Sequence, residues 1–112
     1  MIRNKYGSRK VQVDGITFDS QKEAYRYNEL KLLERAGKIS NLELQPKFEL
    51  IPTQRYKGKT LRKMSYYADF KYLDEEGNVI VEDTKGFKTD VYQIKKKLLI
   101  QKYGDEIDFR EL

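Results

Sequence analysis

The alternation of hydrophobic and polar residues near the start of the chain predicts a short hairpin followed by a helix. Residues 11–18, VQVDGITF, alternate around Asp14-Gly15, a dipeptide typical of two-residue hairpin turns. Residues 20–36 contain no glycine or proline, are rich in helix formers and stop before Gly37. The predicted inward stripe of this helix is Ala24, Tyr27, Leu30 and Leu33.

The middle of the chain has the alternation expected of strands. Residues 42–51 place hydrophobic side chains at every second position, and Pro46 marks an edge or a bulge. Residues 52–60 read as a polar basic loop, residues 61–73 as a second strand, and residues 79–85 as a third strand after a turn at 74–78. We expect these three strands to form an antiparallel meander.

The last third of the chain predicts a second helix and a final strand. The helix covers about residues 90–103, begins at Thr89 or Asp90 and is ended by Gly104. Its predicted apolar stripe is Val91, Ile94 and Leu98. Residues 106–112 alternate like a short strand. The order hairpin, helix, three strands, helix, strand has no linker or repeat, and it predicts one α+β domain over residues 1–112 built on a central mixed sheet.

The composition narrows the chemistry that this chain can perform. The 112 residues include no cysteine and no histidine, which excludes disulfides, thiolate zinc sites, cysteine nucleophiles and histidine-based triads. Any catalysis must use carboxylates, lysine, tyrosine or a hard metal ion. No apolar run approaches the length of a membrane span, and the first ten residues lack the apolar stretch of a secretory signal. We therefore expect a cytoplasmic protein with no membrane partner.

The positive charge of the chain is concentrated in two segments: residues 51–73, and residues 1–13, which hold Arg3, Lys5, Arg9 and Lys10 and no acid. The net charge is +5, from 23 basic and 18 acidic residues. Residues 51–63 contain no acid and five basic residues: Arg55, Lys57, Lys59, Arg62 and Lys63. Clustered positive charge with interleaved tyrosine suits the phosphate backbone of a nucleic acid, although a solvated basic surface would have the same composition.

A group of charged residues lies at the ends of two predicted neighbouring strands. Residues i and i+2 of a strand point to the same side, so Asp83 and Lys85 leave the third strand together. Asp69 lies within the largely apolar stretch YYADFKY of the second strand, and the turn at 74–78 makes the two strands neighbours. If the register brings Asp69 and Asp83 together, their oxygens would suit Mg²⁺, and a nearby lysine could act on an attacking water.

Each of these residues also has a structural interpretation. Asp83 and Lys85 could form an exposed ion pair, and Asp69 is costly to bury without a partner. Glu23 completes a capping box with Ser20, yet it is in phase with the buried stripe of the first helix, so a role facing the sheet stays open. Glu82 is a weaker candidate than Asp83, because strand parity sets it on the side opposite Lys85.

The combination of elements and motifs resembles the PD-(D/E)XK nuclease superfamily. The stretches that carry the resemblance are the segment from NKYGSRK to PKFEL, then YYADFKY, VEDTKG and TDVYQIKKKL. More narrowly, they look like small phage and prophage proteins related to Holliday junction resolvases. The resemblance covers nearly the whole chain and implies a restriction-endonuclease-like αβββαβ core. Ala68 stands where the name of the motif expects proline.

The resemblance also implies roles for individual residues. Asp69 and Asp83 would bind Mg²⁺, with Mn²⁺ as a substitute, Lys85 would act on the water or the transition state, and Glu23 would supply a third acid. It implies lesser, DNA-contacting roles for Gln45, Tyr92 and Lys95. Lys96, from the same helix as Lys95, and the basic residues of 51–63 join them as candidate phosphate contacts, although a solvated helix face would also explain the lysines.

The sequence therefore predicts a Mg²⁺-dependent DNA endonuclease that is directed by DNA structure, such as a branch or junction, in phage or prophage DNA processing. By analogy with resolvases we expect a homodimer in the cytoplasm of the bacterial host. One alternative is a catalytically inactive nucleic-acid-binding or phage assembly module with the same fold. Another is an RNA-binding protein, for which Tyr66, Tyr67 and Tyr72 would be stacking candidates.

Overall fold

A computed structural model describes residues 10–84 and 88–112 of the chain. In these ranges two helices are present, α1 (Gln21–Arg35) and α2 (Asp90–Tyr103). The strands are β1 (Val11–Val13), β2 (Ile16–Phe18), β3 (Ser40–Leu44), β4 (Lys47–Ile51), β5 (Gln54–Tyr56), β6 (Lys59–Leu61), β7 (Met64–Tyr67), β8 (Phe70–Leu73), β9 (Val79–Asp83) and β10 (Asp108–Glu111). Neither of these helices is long and apolar enough to cross a bilayer.

A four-stranded mixed sheet forms the centre of the fold, in the order β10-β9-β8-β3. β10 lies parallel to β9, whereas β8 pairs antiparallel with both β9 and β3. The remaining strands form antiparallel pairs, β1 with β2, β4 with β7 and β5 with β6. The predicted α+β class with a central mixed sheet and an N-terminal hairpin is confirmed.

The local signals at element ends act as the sequence predicts. The N–H of Glu23 donates to the Ser20 hydroxyl at 3.1 Å, which begins α1. Thr89 rather than Asp90 caps α2, because its hydroxyl accepts from the N–H of Tyr92 at 3.0 Å. Asp14 has a φ of 53°, so the β1–β2 turn uses the left-handed geometry that a two-residue hairpin requires.

Two apolar clusters cover the two faces of the sheet. Phe70, Tyr72 and Ile80 of the sheet pack with Tyr27 and Leu30 of α1. The second cluster contains Phe48, Tyr66 and Val81, with Tyr92 and Leu99 from α2. The sheet therefore has an α1 side and an α2 side, and this division decides where each candidate side chain can act.

The predicted inward stripe of each helix needs correction. In α1, Ala24, Tyr27 and Leu30 are buried as predicted, but Leu33 is 36% exposed. In α2 the buried residues are Tyr92 and Leu99, whereas Val91 and Ile94 are 61% and 57% exposed. Leu98, the third member of the predicted stripe, is half-buried against the second cluster, so the sheet covers the side of α2 that carries Tyr92 and Leu99.

The segment predicted as a loop over 52–60 contains a second small hairpin, β5–β6. Its turn is Lys57-Gly58, with φ angles of 49° and 77°. This is again the left-handed pair of a two-residue hairpin turn. We call residues 54–61 the basic arm. It extends the β4–β7 pair, because β5 follows β4 and β6 precedes β7 along the chain.

Candidate active site

β3 and β4 pair with β8 and β7 to form one long antiparallel hairpin. A bend in this hairpin creates the place where Asp69 lies. β3 and β4 are separated at Gln45, whose φ is 50°, and β7 and β8 are separated opposite it. Two hydrogen bonds bridge the break, from the N–H of Gln45 to the Asp69 carbonyl at 2.9 Å and from the N–H of Ala68 to the Pro46 carbonyl at 3.2 Å. Apolar residues of β3 and β8 pack on the α1 side of the sheet, and those of β4 and β7 pack on the α2 side. Asp69 therefore lies where the hairpin changes sides.

The backbones of Asp69 and Asp83 are neighbours at the end of the β8–β9 ladder. Phe70 is in register with Glu82, and the N–H of Asp69 donates to the Glu82 carbonyl at 3.0 Å. Asp69 therefore lies opposite Glu82, the residue that precedes Asp83 on β9. The Asp69 carboxylate accepts from both the N–H and the hydroxyl of Thr84, each at 2.7 Å. The predicted adjacency of the two strand ends is thus present in the backbone.

The carboxylate of Asp83 is buried and hydrogen-bonded. Only 1% of Asp83 is exposed, and the hydroxyl of Tyr66 donates to its Oδ2. Burial, followed by the hydrogen bond to Asp83, raises the pKa of Tyr66 far above its ordinary value, so the phenol keeps its proton and stays a donor. Because Tyr66 belongs to the cluster on the α2 side, this contact draws Asp83 towards α2.

Glu23 and Asp69 open into the same pocket. This pocket has a volume of about 160 Å³ and lies between β2, the first turn of α1 and the bend in the hairpin. Its polar lining includes Glu23, Gln45 and Asp69, and Phe18 and Leu44 contribute apolar walls. Glu23 is only 4% exposed, so the capping-box residue does face inward, as its phase in the helix indicated.

The predicted set of three acids is therefore only partly assembled. Glu23 and Asp69 share a pocket, whereas Asp83 adjoins Asp69 through the backbone and contacts Tyr66 with its carboxylate. Within residues 10–84 and 88–112 no group of three or more acidic side chains has the arrangement of a metal site. The donors are nevertheless the carboxylate oxygens that Mg²⁺ prefers. Lys85, the fourth predicted member, lies outside the described residues.

A buried ion pair joins α1 to the strand that carries Asp83. Arg26 donates from Nε and Nη2 to the two carboxylate oxygens of Glu82, at 2.7 and 2.6 Å, and the hydroxyl of Tyr72 donates to the same carboxylate. The hydrogen bond with Glu82 raises the pKa of Arg26 further, and burial with the hydrogen bond to Glu82 raises that of Tyr72 to about 12. Glu82 is thus committed to Arg26, which agrees with the choice of Asp83 as the site acid.

Sequence reasoning did not identify Arg26, Tyr66 and Thr84 as neighbours of the site. A signal existed for Arg26, since it is three residues after Glu23 and therefore on the same side of α1. Tyr66 and Thr84 are ordinary strand residues by pattern, and only the register places them against the two aspartates.

The candidate nucleic-acid contacts divide into an exposed set and a buried set. Arg55, Lys57 and Lys59 are exposed on the basic arm, and Arg62 and Lys63 are exposed where the arm rejoins the β4–β7 pair. Gln45 is exposed at the bend, beside the pocket that it helps to line. These six residues are accessible to a ligand.

Tyr92 and Lys96, by contrast, hold α2 against β10. Tyr92 is 5% exposed, and its hydroxyl donates to Glu111 at 2.6 Å. Lys96 donates to the other carboxylate oxygen of Glu111 at 2.5 Å, and Lys95 is half-buried. The prediction that Tyr92 contacts nucleic acid is corrected, because a side chain so deeply buried is not available to a ligand in this structure.

The Glu111 cluster predicts a loss of stability in acid. Hydrogen bonds from Lys96 and Tyr92 lower the pKa of Glu111 to about 2, below its ordinary value of 4.5. A carboxylate with a lowered pKa stabilises the fold above its unfolded pKa and loses that contribution as the pH falls towards its folded pKa. Between about pH 5 and pH 2 we expect the free energy of unfolding to fall less in Glu111→Gln than in the wild type, measured by urea titration.

The control for this experiment is Glu106→Gln, which changes an exposed carboxylate in the turn between α2 and β10. Its unfolding free energy should follow that of the wild type across the same range. An identical acid dependence in Glu111→Gln and the wild type would show that the cluster contributes nothing to stability.

The fold and the site define an α+β protein with a mixed sheet and a carboxylate-lined pocket beside the ends of two strands. A family model described as "Protein of unknown function (DUF1064)" matches residues 3–110, so the chain belongs to that family. No curated protein and no solved structure matches the chain.

Proposed function

We propose that this protein is a Mg²⁺-dependent DNA endonuclease of the PD-(D/E)XK type, directed by DNA structure and used in phage or prophage DNA processing. The observation that carries the proposal is that Asp69 lies directly before β8 and donates a backbone hydrogen bond to Glu82, the residue before Asp83 at the end of β9. Asp69 also shares its pocket with Glu23. Two aspartates at neighbouring strand ends, with a third acid across the pocket from Asp69, supply carboxylate oxygens that suit a hard divalent cation.

The residues that would hold the ion are Asp69, Asp83 and Glu23. Mg²⁺, or Mn²⁺ in its place, supplies Lewis-acid polarisation of the scissile phosphate when bound. Thr84 fixes one oxygen of Asp69 through two hydrogen bonds, and Tyr66 does the same for Asp83 through one. These contacts hold each carboxylate in a defined orientation, Asp69 in the pocket beside Glu23 and Asp83 towards α2.

Lys85 is proposed to assist the incoming water. In hydrolysis of a phosphodiester the water oxygen forms a bond to phosphorus, the bond from phosphorus to the leaving oxygen breaks, and the water proton is transferred away. An amine beside Asp83 could accept that proton or offset the negative charge of the transition state. The contribution of Lys85 rests on the D-x-K pattern of Asp83-Thr84-Lys85 and on the resemblance.

A second candidate is a nucleic-acid-binding or phage assembly module that keeps the fold without catalysis. Two observations favour it. Asp83 is buried against Tyr66, and the part of the chain that the structure describes has no group of three acids arranged for a metal. In that case the carboxylates would serve folding, and the basic arm would provide the binding surface.

Cleavage of supercoiled plasmid and of a synthetic four-way junction separates the two candidates. We expect the wild type to cut only when Mg²⁺ or Mn²⁺ is added, and both Asp83→Ala and Lys85→Ala to lose cleavage while still binding DNA. Equal behaviour of the three proteins would refute the endonuclease, whereas loss in both variants would refute the inactive module.

Competition between branched DNA and single-stranded RNA tests the RNA-binding alternative in the same preparation. Its candidate stacking residues are poorly placed, since Tyr66 and Tyr72 are 3% and 4% exposed and only Tyr67, at 55%, is accessible. We expect branched DNA to displace RNA. Displacement in the opposite direction would favour the RNA-binding protein.

A further inference from the structure

The basic arm is a two-stranded projection whose side chains are all exposed. Every residue of β5 and β6 and both turn residues are solvent-accessible. The guanidinium of Arg55 donates to the hydroxyl of Thr60 at 3.0 Å and to the carbonyl of Gly58 at 3.1 Å. These bonds brace the turn from within the arm. The backbone of the arm therefore has less conformational entropy to lose on binding.

One face of the arm carries an aromatic and an aliphatic side chain side by side. The register pairs Gln54 with Leu61 and Tyr56 with Lys59, and directly opposed residues point to the same face. Tyr56 and Leu61 are therefore diagonal neighbours on that face. They are 61% and 46% exposed and lie next to each other, so together they form a small apolar surface. The amine of Lys57 lies 5.3 Å from the centre of the Tyr56 ring.

The charge of the arm indicates which kind of ligand covers this face. Residues 54–61 contain three cations, Arg55, Lys57 and Lys59, and no acid, and Arg62 and Lys63 follow directly. A second copy of the chain would bring the same cations together and carries a net charge of +5. A phosphate backbone complements this charge, and a nucleobase is the flat apolar group that stacks on an exposed tyrosine.

We propose that the basic arm binds unpaired bases of DNA, with a base stacked on Tyr56 beside Leu61 and the flanking phosphates contacted by Lys57 and Lys59. A base within a duplex is stacked on its neighbours and cannot offer its face to Tyr56. The arm therefore distinguishes unpaired from paired DNA, which is the property that a structure-directed enzyme needs.

The position of the arm limits how far the unpaired bases can lie from the cleaved phosphate, an inference that rests on the proposed function. β6 leads through β7 to the bend at Asp69, and Lys59, which opposes Tyr56, precedes Asp69 by ten residues. At about 3.3 Å per residue this separation is at most about 33 Å. DNA advances about 3.4 Å per nucleotide, so the unpaired segment lies within roughly ten nucleotides of the cleaved phosphate.

Binding without metal tests the arm independently of cleavage. Fluorescence anisotropy in EDTA compares a labelled oligothymidine with a fully paired duplex of equal length, at one fixed salt concentration. We expect the wild type to prefer the single strand. We expect Tyr56→Ala to weaken single-strand binding roughly tenfold, with duplex binding unchanged and with recovery in Tyr56→Phe. Tyr25→Ala is the matched control, because Tyr25 is 75% exposed on α1 outside the arm.

Three results would overturn the proposal. The first is that the wild type binds both DNAs with equal affinity. The second is that Tyr56→Ala loses affinity equally for both DNAs. The third is that Tyr25→Ala loses as much affinity as Tyr56→Ala. Sedimentation of the same samples tests the competing occupant, since dissociation of a dimer in Tyr56→Ala alone would assign this face to a second copy of the chain. If the protein never cleaves DNA but its binding still depends on Tyr56, the proposal for the arm stands and the endonuclease is refuted.

Discussion

Asparagine in place of Asp69 is expected to reduce metal-dependent cleavage by a factor of about a thousand or more, because the ion loses a charged ligand worth several kcal/mol of transition-state stabilisation. The fold should survive. The amide oxygen of asparagine can still accept from the N–H and hydroxyl of Thr84, which hold Asp69 Oδ2 at 2.7 Å. The measurement is the rate of junction cleavage at saturating Mg²⁺, accompanied by a thermal unfolding curve for each protein.

The control is Asp105→Asn, which removes a carboxylate from an exposed position after α2. It should cleave at the wild-type rate. Calorimetric titration with Mn²⁺ adds a readout that does not depend on turnover, and Asp69→Asn should bind the ion more weakly than Asp105→Asn. Wild-type cleavage by Asp69→Asn would remove Asp69 from the metal site and with it the main support for the endonuclease.

Methionine in place of Arg26 is expected to produce a large loss of stability, about 3–5 kcal/mol in the free energy of unfolding. Arg26 is the bidentate partner of Glu82, whose side chain is 0% exposed. Without the guanidinium, the buried carboxylate of Glu82 loses both of its hydrogen bonds from Arg26 and keeps the one from the hydroxyl of Tyr72. Urea titration at neutral pH measures the change.

A second substitution identifies the cause of that loss. In the double variant Arg26→Met/Glu82→Gln the buried charge is absent, while the glutamine oxygen can still accept from Tyr72. We expect it to recover part of the stability lost in Arg26→Met. Arg35→Met, at the exposed end of α1, is the control and should change stability by at most about 0.5 kcal/mol. A double variant no more stable than Arg26→Met would attribute the loss to packing of the arginine stem instead.

The Arg26–Glu82 pair also bears on the geometry of the site. It ties α1, which carries Glu23 three residues earlier, to the residue immediately before Asp83. α1, which carries Glu23, and β9, which carries Asp83, are therefore joined by a contact that involves neither of these two proposed ligands. A change at Arg26 should disturb the alignment of Glu23 and Asp83 even where the protein still folds.

Much of the candidate site could be predicted from local patterns. The D-x-K tripeptide at the end of an apolar strand and the lone acid in YYADFKY singled out Asp83 and Asp69, and both lie where β9 and β8 end. The phase of Glu23 in its helix indicated that it faces inward, and it is buried against the pocket. The inward position of Glu23 could be predicted because phase in a helix is fixed by backbone geometry.

The orientation of the carboxylates could not be predicted in this way. The bend at Gln45 changes the side to which the long hairpin presents its residues, so parity counted from β7 and from β8 gives different answers for Asp69. Tyr66 arrives against Asp83 from another strand, and Arg26 reaches Glu82 across 56 positions of the chain. Such partners depend on register and on the packing of helices, which no local pattern encodes.

By itself the sequence determined the two helices, the hairpin turn at Asp14-Gly15, the cap at Ser20, and a chemistry limited to carboxylates, lysine, tyrosine and hard metal ions. Only the tertiary structure decided which stripe of α2 is buried, that Tyr92 serves the core, and that residues 54–61 form a projecting arm. The reason is physical. Turns, caps and periodicity arise from neighbours along the chain, whereas burial depends on which distant surface covers each face.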